Sequence, residues 1–197
     1  MKTKAFTLIE LLIVIAIIAI LALIAIPNFL EAQVRSRVSR VHADMRSFAT
    51  AVETYTVDYS RCPLGQQEMK YYGIAGDNEV LNYYAQTRLT TPIAYMTSIL
   101  QDPFIDKTRD PKGRQEYIYH GFLCPGLSGA FVDCFRLGYL WGVESRGPNP
   151  AHQAAGGMQA ILSDKTKSIV YDPSNGTVSD GVIIRTNKGV FDGTPGH

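Results

Sequence analysis

The chain has 197 residues and a formal net charge of +1; 46% of its residues are hydrophobic and 19% are charged. This balance excludes an intrinsically disordered chain, which would need few apolar residues and a large net charge. The near-zero net charge gives no reason to expect a nucleic acid as a partner. Outside the N-terminal segment described next, about 165 residues remain, enough for one soluble domain.

An apolar segment covers residues 6 to 26, FTLIELLIVIAIIAILALIAI, in which the polar residues are Thr7 and Glu10. As a helix it would be about 31 Å long, close to the thickness of a bilayer's hydrocarbon core. Lys2 and Lys4 precede it and are expected to remain on the cytoplasmic side. The pattern predicts a short leader at 1–5 and a membrane-spanning helix at 6–26.

Glu10 is the unusual residue of this span, because a carboxylate deep in a bilayer costs about 2.5–3.5 kcal/mol. A plain anchor gains nothing from that acid, whereas a segment that later leaves the lipid can pair it with a positive charge. Three alternatives stay open: a glutamate that lies idle at the headgroups, a cleaved secretory signal, and a permanent anchor.

The helix is expected to continue beyond the membrane to about residue 58. Pro27 and Asn28 are predicted to interrupt it and to kink its axis. Further on, the apolar residues recur at alternating spacings of four and three, which indicates one apolar seam on a helix: Val34, Val38, Val41, Met45, Phe48, Val52, Tyr55 and Tyr59. Residues 27–59 are therefore assigned to an amphipathic helix that packs on a globular domain at 60–197.

The globular domain is predicted to contain a small antiparallel sheet. Short helices are expected near 79–87 and 93–99 in a long connection. Strand-like runs at 115–122 and 135–145 suggest one pair, and runs at 167–172 and 181–186 suggest a second antiparallel pair joined by the turn DPSNG. The predicted fold is α+β, with one long N-terminal helix packed on a small antiparallel sheet.

Three cysteines are present, and two of them flank a glycine-containing loop, CPGLSGAFVDC. A disulfide between Cys124 and Cys134 would staple this loop in a domain outside the cytoplasm, leaving Cys62 without a partner. The alternative is three reduced thiols.

The N-terminal sequence KAFTLIELLIVIAIIAILALIAIPNF resembles that of type IV pilin-like proteins, which include pilins and the pseudopilins of type II secretion. The resemblance implies that a prepilin peptidase cuts between Ala5 and Phe6 and methylates the new amine of Phe6. Ala5 stands where the family normally has glycine. It also implies that Glu10 pairs with the N-terminal amine of a neighbouring subunit, and that Pro27 lies in the region that adapts during assembly.

The C-terminal half is similar to the globular part of major pseudopilins, in the stretches YMTSILQDPF, YIYH and LGYLWGVESRGPNP and in VYDPSNGTVSDGVIIR. In that family calcium fixes the loop after a Ser-x-Gly-Pro-Asp stretch, which here reads Ser145 to Asn149. The resemblance implies calcium ligands among Ser145, Asn149 and Asp180, with Asp172 and Asp164 as further candidates. The alternative is that Asp172 and Asp180 stabilise turns.

The resemblance implies a filament subunit, most similar to the major pseudopilin, whose pseudopilus pushes folded proteins through the outer membrane. Its expected partners are copies of itself, minor pseudopilins, the prepilin peptidase, an inner-membrane assembly platform and, before assembly, lipid. Its domain would lie outside the cytoplasm. The alternatives are a pilin of a surface pilus and a membrane-anchored binding domain that never assembles. An enzyme is not expected, because the sequence contains no HExxH, P-loop, GxGxxG or GxSxG motif.

Overall fold

The computed structural model describes residues 6–74, 76, 78–105, 115–123, 129–148, 170–172, 174, 179 and 181–192. The elements in chain order are α1 (Leu8–Tyr59), α2 (Gln66–Tyr71), α3 (Asn78–Thr87), β1 (Ile118–Gly121), α4 (Ala130–Arg136), β2 (Trp141–Ser145), β3 (Ile183–Thr186) and β4 (Gly189–Val190). The second half of α1 packs on a four-stranded antiparallel sheet. The predicted α+β fold is confirmed.

Helix α1 is 52 residues long, which corresponds to about 78 Å. It continues through Pro27, so the predicted interruption at Pro27 and Asn28 is wrong. A proline removes one backbone hydrogen bond, and the flanking turns keep theirs, which is sufficient to hold the helix together. The helix ends at Tyr59, where Ser60 adopts a left-handed conformation with φ of 56°.

The predicted apolar seam of α1 forms one side of the main hydrophobic core. Its buried members are Val38, Val41, Met45, Phe48, Val52 and Tyr55, and Val34 packs against them while half-buried. They meet aromatic and aliphatic side chains of the sheet, namely Tyr117, Tyr119, Trp141, Val143 and Ile183. The seam ends one turn earlier than predicted, because Tyr59 is exposed and stacks on Tyr55 with ring centroids 4.4 Å apart.

The first predicted strand pair is confirmed as β1 and β2, which are antiparallel with Tyr119 opposite Val143. The predicted start of the second strand at residue 135 is wrong, because residues 130–136 form helix α4 and the strand begins at Trp141. Gly138, with φ of 83°, turns the chain between α4 and β2.

The second predicted pair is wrong in its direction. Val170 and Val182 form an isolated parallel bridge, whereas β3 pairs in antiparallel fashion with β2 and with the short strand β4. Asn187 and Lys188 connect β3 to β4, and Gly189 has φ of 120° in this tight turn. The predicted turn DPSNG falls mainly outside the described residues.

Helix α3 matches the helix predicted at 79–87, but the one predicted at 93–99 is absent from this described segment. There the backbone N–H groups of Tyr95 and Met96 both donate to the carbonyl of Leu89, so the chain folds back in turns. Helix α2 was not predicted. Helices α2 and α3 both lie against β1.

Candidate assembly site at the N-terminal end of the long helix

Thr7 and Glu10 close the N-terminal end of α1 in a capping box. The Thr7 side chain accepts a hydrogen bond of 3.3 Å from the backbone N–H of Glu10. In return the Glu10 carboxylate accepts from the backbone N–H of Thr7 at 2.9 Å and from its hydroxyl at 2.8 Å. This arrangement satisfies helix N–H groups that would otherwise have no partner, and such caps contribute about 1 kcal/mol.

The capping box also fixes the direction of the Glu10 carboxylate. Because it bonds to Thr7, the carboxylate points back toward the start of the chain, where Phe6 would become the first residue after cleavage. Both of its present partners are neutral donors, so its negative charge is hydrogen-bonded but not neutralised.

Within the described part of the chain, nothing packs against the apolar half of α1. Every large apolar side chain from Leu8 to Leu30 is exposed, and Leu8 itself is 89% exposed. By length and composition α1 is the helix among the described residues that could cross a membrane. Apolar side chains on this scale are costly in water, so this half of α1 requires lipid or other helices around it.

Pro27 lies close to the boundary between the two halves of α1. The first residue of the seam, Val34, is two turns further on and already touches the core. The apolar half of α1 and the globular domain are therefore joined by continuous helix, with no flexible linker between them.

The remaining site predictions fall partly outside the described residues. Ala5 lies outside them, so the cleavage bond between Ala5 and Phe6 has no structural description. Cys124 also lies outside them, whereas Cys134 is buried in α4, whose first residues fall within the predicted loop. The pairing of Cys124 with Cys134 stays a prediction.

The predicted calcium ligands are also only partly described, since Asn149, Asp164 and Asp180 lie outside the described residues. Ser145 is fully buried at the end of β2, and its hydroxyl accepts from the N–H of Gly147 at 3.3 Å. Asp172 is exposed and accepts from the N–H of Ser174 at 2.8 Å, as the turn interpretation predicts. Among the described residues, no three acidic, histidine or cysteine side chains converge as they would around a metal.

Sequence reasoning missed Asp102, a buried carboxylate next to Ser145. Its two oxygens accept from the N–H groups of Phe104 and Arg146 at 3.0 and 2.8 Å. Burial raises the pKa of Asp102, and these two N–H groups and the Ser145 hydroxyl oppose that rise. The Asp102-Pro103 dipeptide indicated a turn, but nothing in the sequence indicated that its side chain ties this turn to the end of β2.

An exposed apolar half-helix that continues into an α+β domain with an antiparallel sheet defines a pilin-like architecture. The profile of the prokaryotic N-terminal methylation motif matches residues 1–26. The chain is 45% identical over 76 residues to the type IV major fimbrial protein FimA of Dichelobacter nodosus, which covers 37% of this chain and 48% of that protein. It is 36% identical over 115 residues to the type IV major pilin protein PilA of Myxococcus xanthus, covering 52% and 51%.

A further FimA protein of Dichelobacter nodosus is 54% identical over 55 residues, covering 28% of this chain and 35% of that protein. The chain thus spans about half, or less, of the length of these curated relatives. No solved structure matches it. Taken with the architecture, these findings show that the chain is similar to type IV pilin-like proteins, through the methylation motif at residues 1–26 and through partial similarity to major pilin and fimbrial proteins. These relatives bear the names of major pilin or major fimbrial proteins and not of pseudopilins.

Proposed function

We propose that this protein is the structural subunit of a type IV pilin-like filament. The observation that carries the proposal is the apolar half of α1, which is exposed along its whole length and begins with a carboxylate oriented by Thr7. Lipid can cover this surface in the membrane. In a filament, the same surface of other copies would cover it.

Glu10 explains why a filament is favoured over a permanent anchor. Near the start of the span its carboxylate can reach the headgroup region, so insertion is tolerated. In a bundle of apolar helices the same charge would be expensive unless it met a cation. The amine of Phe6 on a neighbouring copy would supply that cation once the leader is removed, and pairing would set the axial offset between copies.

The proposed life of the chain follows from this chemistry. The leader 1–5 remains cytoplasmic, the apolar helix spans the inner membrane, and the globular domain lies on the other side. The prepilin peptidase cuts before Phe6 and methylates its amine. An assembly platform, driven by a separate ATPase, then moves the subunit from lipid into the filament. The missing backbone bond at Pro27 would allow the helix to stretch there during extraction.

The kind of filament is the finer part of the proposal. The relatives named as major pilin and fimbrial proteins favour a surface pilus. The stretch from Ser145 to Asn149 favours a type II secretion pseudopilus, in which minor pseudopilins would share the filament. Long fibres outside the cell would support the pilus, and filaments that form only when a secretion system is overproduced would support the pseudopilus.

The first experiment is an intact-mass measurement and N-terminal peptide map of the protein extracted from membranes. A chain that begins at methylated Phe6 supports processing and assembly. A chain that begins at Met1 would indicate a permanent anchor, and one that begins near Pro27 would indicate a secreted domain. Either of these would contradict the proposal.

The second experiment compares filament formation by the parent protein and by Glu10→Val. We expect the variant to insert in the membrane at least as well as the parent but not to enter filaments. Ile9→Val is the matched control, because it changes a neighbouring exposed apolar side chain without touching the charge. Equal assembly of all three proteins would overturn the role of Glu10.

A further inference from the structure

Strand β1 lies at one end of the sheet, yet its outer edge is covered. Just before the strand, the backbone N–H of Asp102 donates to the carbonyl of Gln115 at 2.6 Å, and side chains of α3 cover the edge from Tyr117 to Tyr119. Residues 118 and 120 direct their backbone groups toward β2, so those of Tyr117 and Tyr119 point away from the sheet. An uncovered edge of this kind is a template on which a second chain can add a strand.

The carboxamide of Asn82 occupies this edge as a neighbouring strand would. Its Nδ2 donates to the carbonyl of Tyr117 at 2.9 Å, and its Oδ1 accepts from the N–H of Tyr119 at 2.8 Å. One side-chain amide thus supplies both the donor and the acceptor that a peptide group of an added strand would supply.

Gln86 lies one helical turn further along α3 and binds the same edge. Its Nε2 donates a second hydrogen bond, of 2.6 Å, to the carbonyl of Tyr117. Both Asn82 and Gln86 are buried. A buried polar side chain is costly unless it is bonded. Asn82 meets this requirement with both amide atoms, whereas Gln86 meets it with Nε2 alone, because its buried Oε1 has no hydrogen-bond partner among the described residues. The two amides at positions i and i+4 mark a specific contact of α3 with the strand.

Helix α2 covers the next part of the edge by close approach. A Cβ atom added to Gly121 would collide with the carboxylate of Glu68, and one added to Gly65 would collide with the backbone of Gly121. The opposite edge of the sheet is protected differently: β4 is only two residues long and follows Lys188. Short edge strands and lysines are common protections against edge pairing.

We infer that Asn82 and Gln86 act as a side-chain strand that closes a latent pairing surface on β1, and that the partner kept out is the β1 edge of a second copy of this chain. Two such edges can pair antiparallel about a two-fold axis, which gives a closed dimer. A chain held at high local concentration in a membrane would be prone to form this dimer, and the closed dimer could not add further copies through the same edge. The inference does not depend on filament assembly.

The test uses the full chain in detergent micelles and the double variant Asn82→Leu/Gln86→Leu, which keeps apolar burial but removes the three hydrogen bonds. Arg88→Ala, an exposed change just after the same helix, is the control. In dilute samples we expect the Tyr119 amide of the double variant to exchange its hydrogen about tenfold faster than in the parent. The parent and the control should agree.

Concentration separates edge pairing from simple loosening of α3. As the ratio of protein to detergent rises, the double variant should dimerise in sedimentation experiments, and protection at residues 117–121 should return. Adding Ile118→Lys to the double variant should restore the monomer, because a lysine on an edge strand opposes pairing. The parent shares α1, so association through that helix alone would appear in both proteins.

Two results would overturn the inference: an unchanged exchange rate at Tyr119, or dimers in which residues 117–121 stay unprotected. If the double variant does not fold, the milder Asn82→Ser takes its place. The serine hydroxyl is shorter than the carboxamide and has one polar atom in place of two, so it cannot fully replace the bonds of Asn82 to Tyr117 and Tyr119, and the same concentration-dependent protection is expected at smaller amplitude. Its absence there would also refute the latent surface.

Discussion

The hydroxyl of Tyr117 donates a hydrogen bond of 3.0 Å to the carboxylate of Asp44, which joins the start of β1 to the middle of α1. The tyrosine is buried, and the aspartate is largely covered. Burial and the nearby Asp44 carboxylate raise the pKa of Tyr117, because both disfavour the phenolate. The bond therefore persists at neutral pH and links the helix that carries the anchor to the sheet.

Tyr117→Phe should lower the free energy of unfolding by about 1.5–3 kcal/mol, because a hydrogen bond to a charged acceptor is lost and Asp44 keeps a partly buried charge. Fluorescence of Trp141, the single tryptophan and a buried one, reports the unfolding in denaturant. Tyr95→Phe is the matched control, since its hydroxyl bonds to Asp58 at 2.6 Å at an exposed site. Equal losses in both variants would contradict the role given to the buried pair.

His120 should make the domain less stable in mild acid. Burial lowers its pKa to about 4, and the ring lies against Phe122 and Phe131. In the unfolded chain the pKa is about 6.5, so between pH 6.5 and 4 the unfolded state binds more protons. Stability should therefore fall as the pH is lowered through this window, by about 3 kcal/mol in total.

His120→Phe removes the group that takes up the proton and keeps an aromatic ring in contact with Phe122 and Phe131. The variant should lose this part of the pH dependence, as measured by denaturant midpoints from pH 7 to pH 4. The comparison is between slopes, because the variant also loses the contact of 3.4 Å between Gln66 and the ring nitrogen. Parallel slopes for parent and variant would show that His120 is not the titrating group.

Charge and capping at the start of α1 can be separated by two variants. Glu10→Gln keeps a side chain that can accept in a capping box but removes the charge, so assembly should fail. Thr7→Val removes the hydroxyl cap and should cost about 1 kcal/mol of local helix stability, while assembly continues. Filament yield by electron microscopy is the measurement. The opposite pattern would mean that the cap, and not the charge, is required.

The cysteines can be counted by alkylation. With a bridge between Cys124 and Cys134, the protein unfolded without reductant should take up one alkyl group, on Cys62. In the folded protein Cys62 should not react, since it is buried and its pKa is raised to about 12. Uptake of three groups after unfolding would show that the disulfide is absent.

The calcium prediction is tested by the melting temperature with and without EGTA. Ser145 and Asp172 already hold backbone N–H groups, so we expect no change. A fall that is reversed by added calcium but not by magnesium would instead establish the metal site.

The elements of this fold that leave a periodic pattern of apolar residues in the sequence could be predicted from that pattern. The spacing of Val38, Val41 and Met45 predicted the buried face of α1, and the alternating run around Tyr119 predicted a strand. The start of α4 was predicted to be a loop and residues 135–136 to be part of a strand, because a short apolar run fits a strand and a helix equally well. The length of α1 was predicted closely, since an apolar helix followed by an amphipathic seam leaves a strong signal.

Contacts between distant segments could not be predicted in this way. The bonds of Asn82 to β1 and of Asp102 to the end of β2 join residues more than thirty positions apart, and a single asparagine or aspartate gives no sign of its partner. The segment around Val170 was predicted to pair antiparallel with the segment around Val182, whereas the bridge between them is parallel, and nothing in the sequence indicated this direction, for the same reason. At the candidate assembly site, Glu10 could be identified because it is the single charged residue of the apolar span at 6–26, whereas its hydrogen bonds to Thr7 were not predicted.

The unbroken passage of α1 from its exposed apolar half into the core has a geometric consequence. A straight helix turns by about 100° and rises by about 1.5 Å with each residue, so the number of residues between Glu10 and Phe48 fixes the azimuth of the domain around the helix axis. One inserted residue near Gln33 would swing the whole sheet by more than a quarter turn, while its height would barely change. The number of residues in this helix thus fixes the rotation of the domain about the helix axis, and this rotation determines which side of the domain faces away from the surroundings of the apolar half.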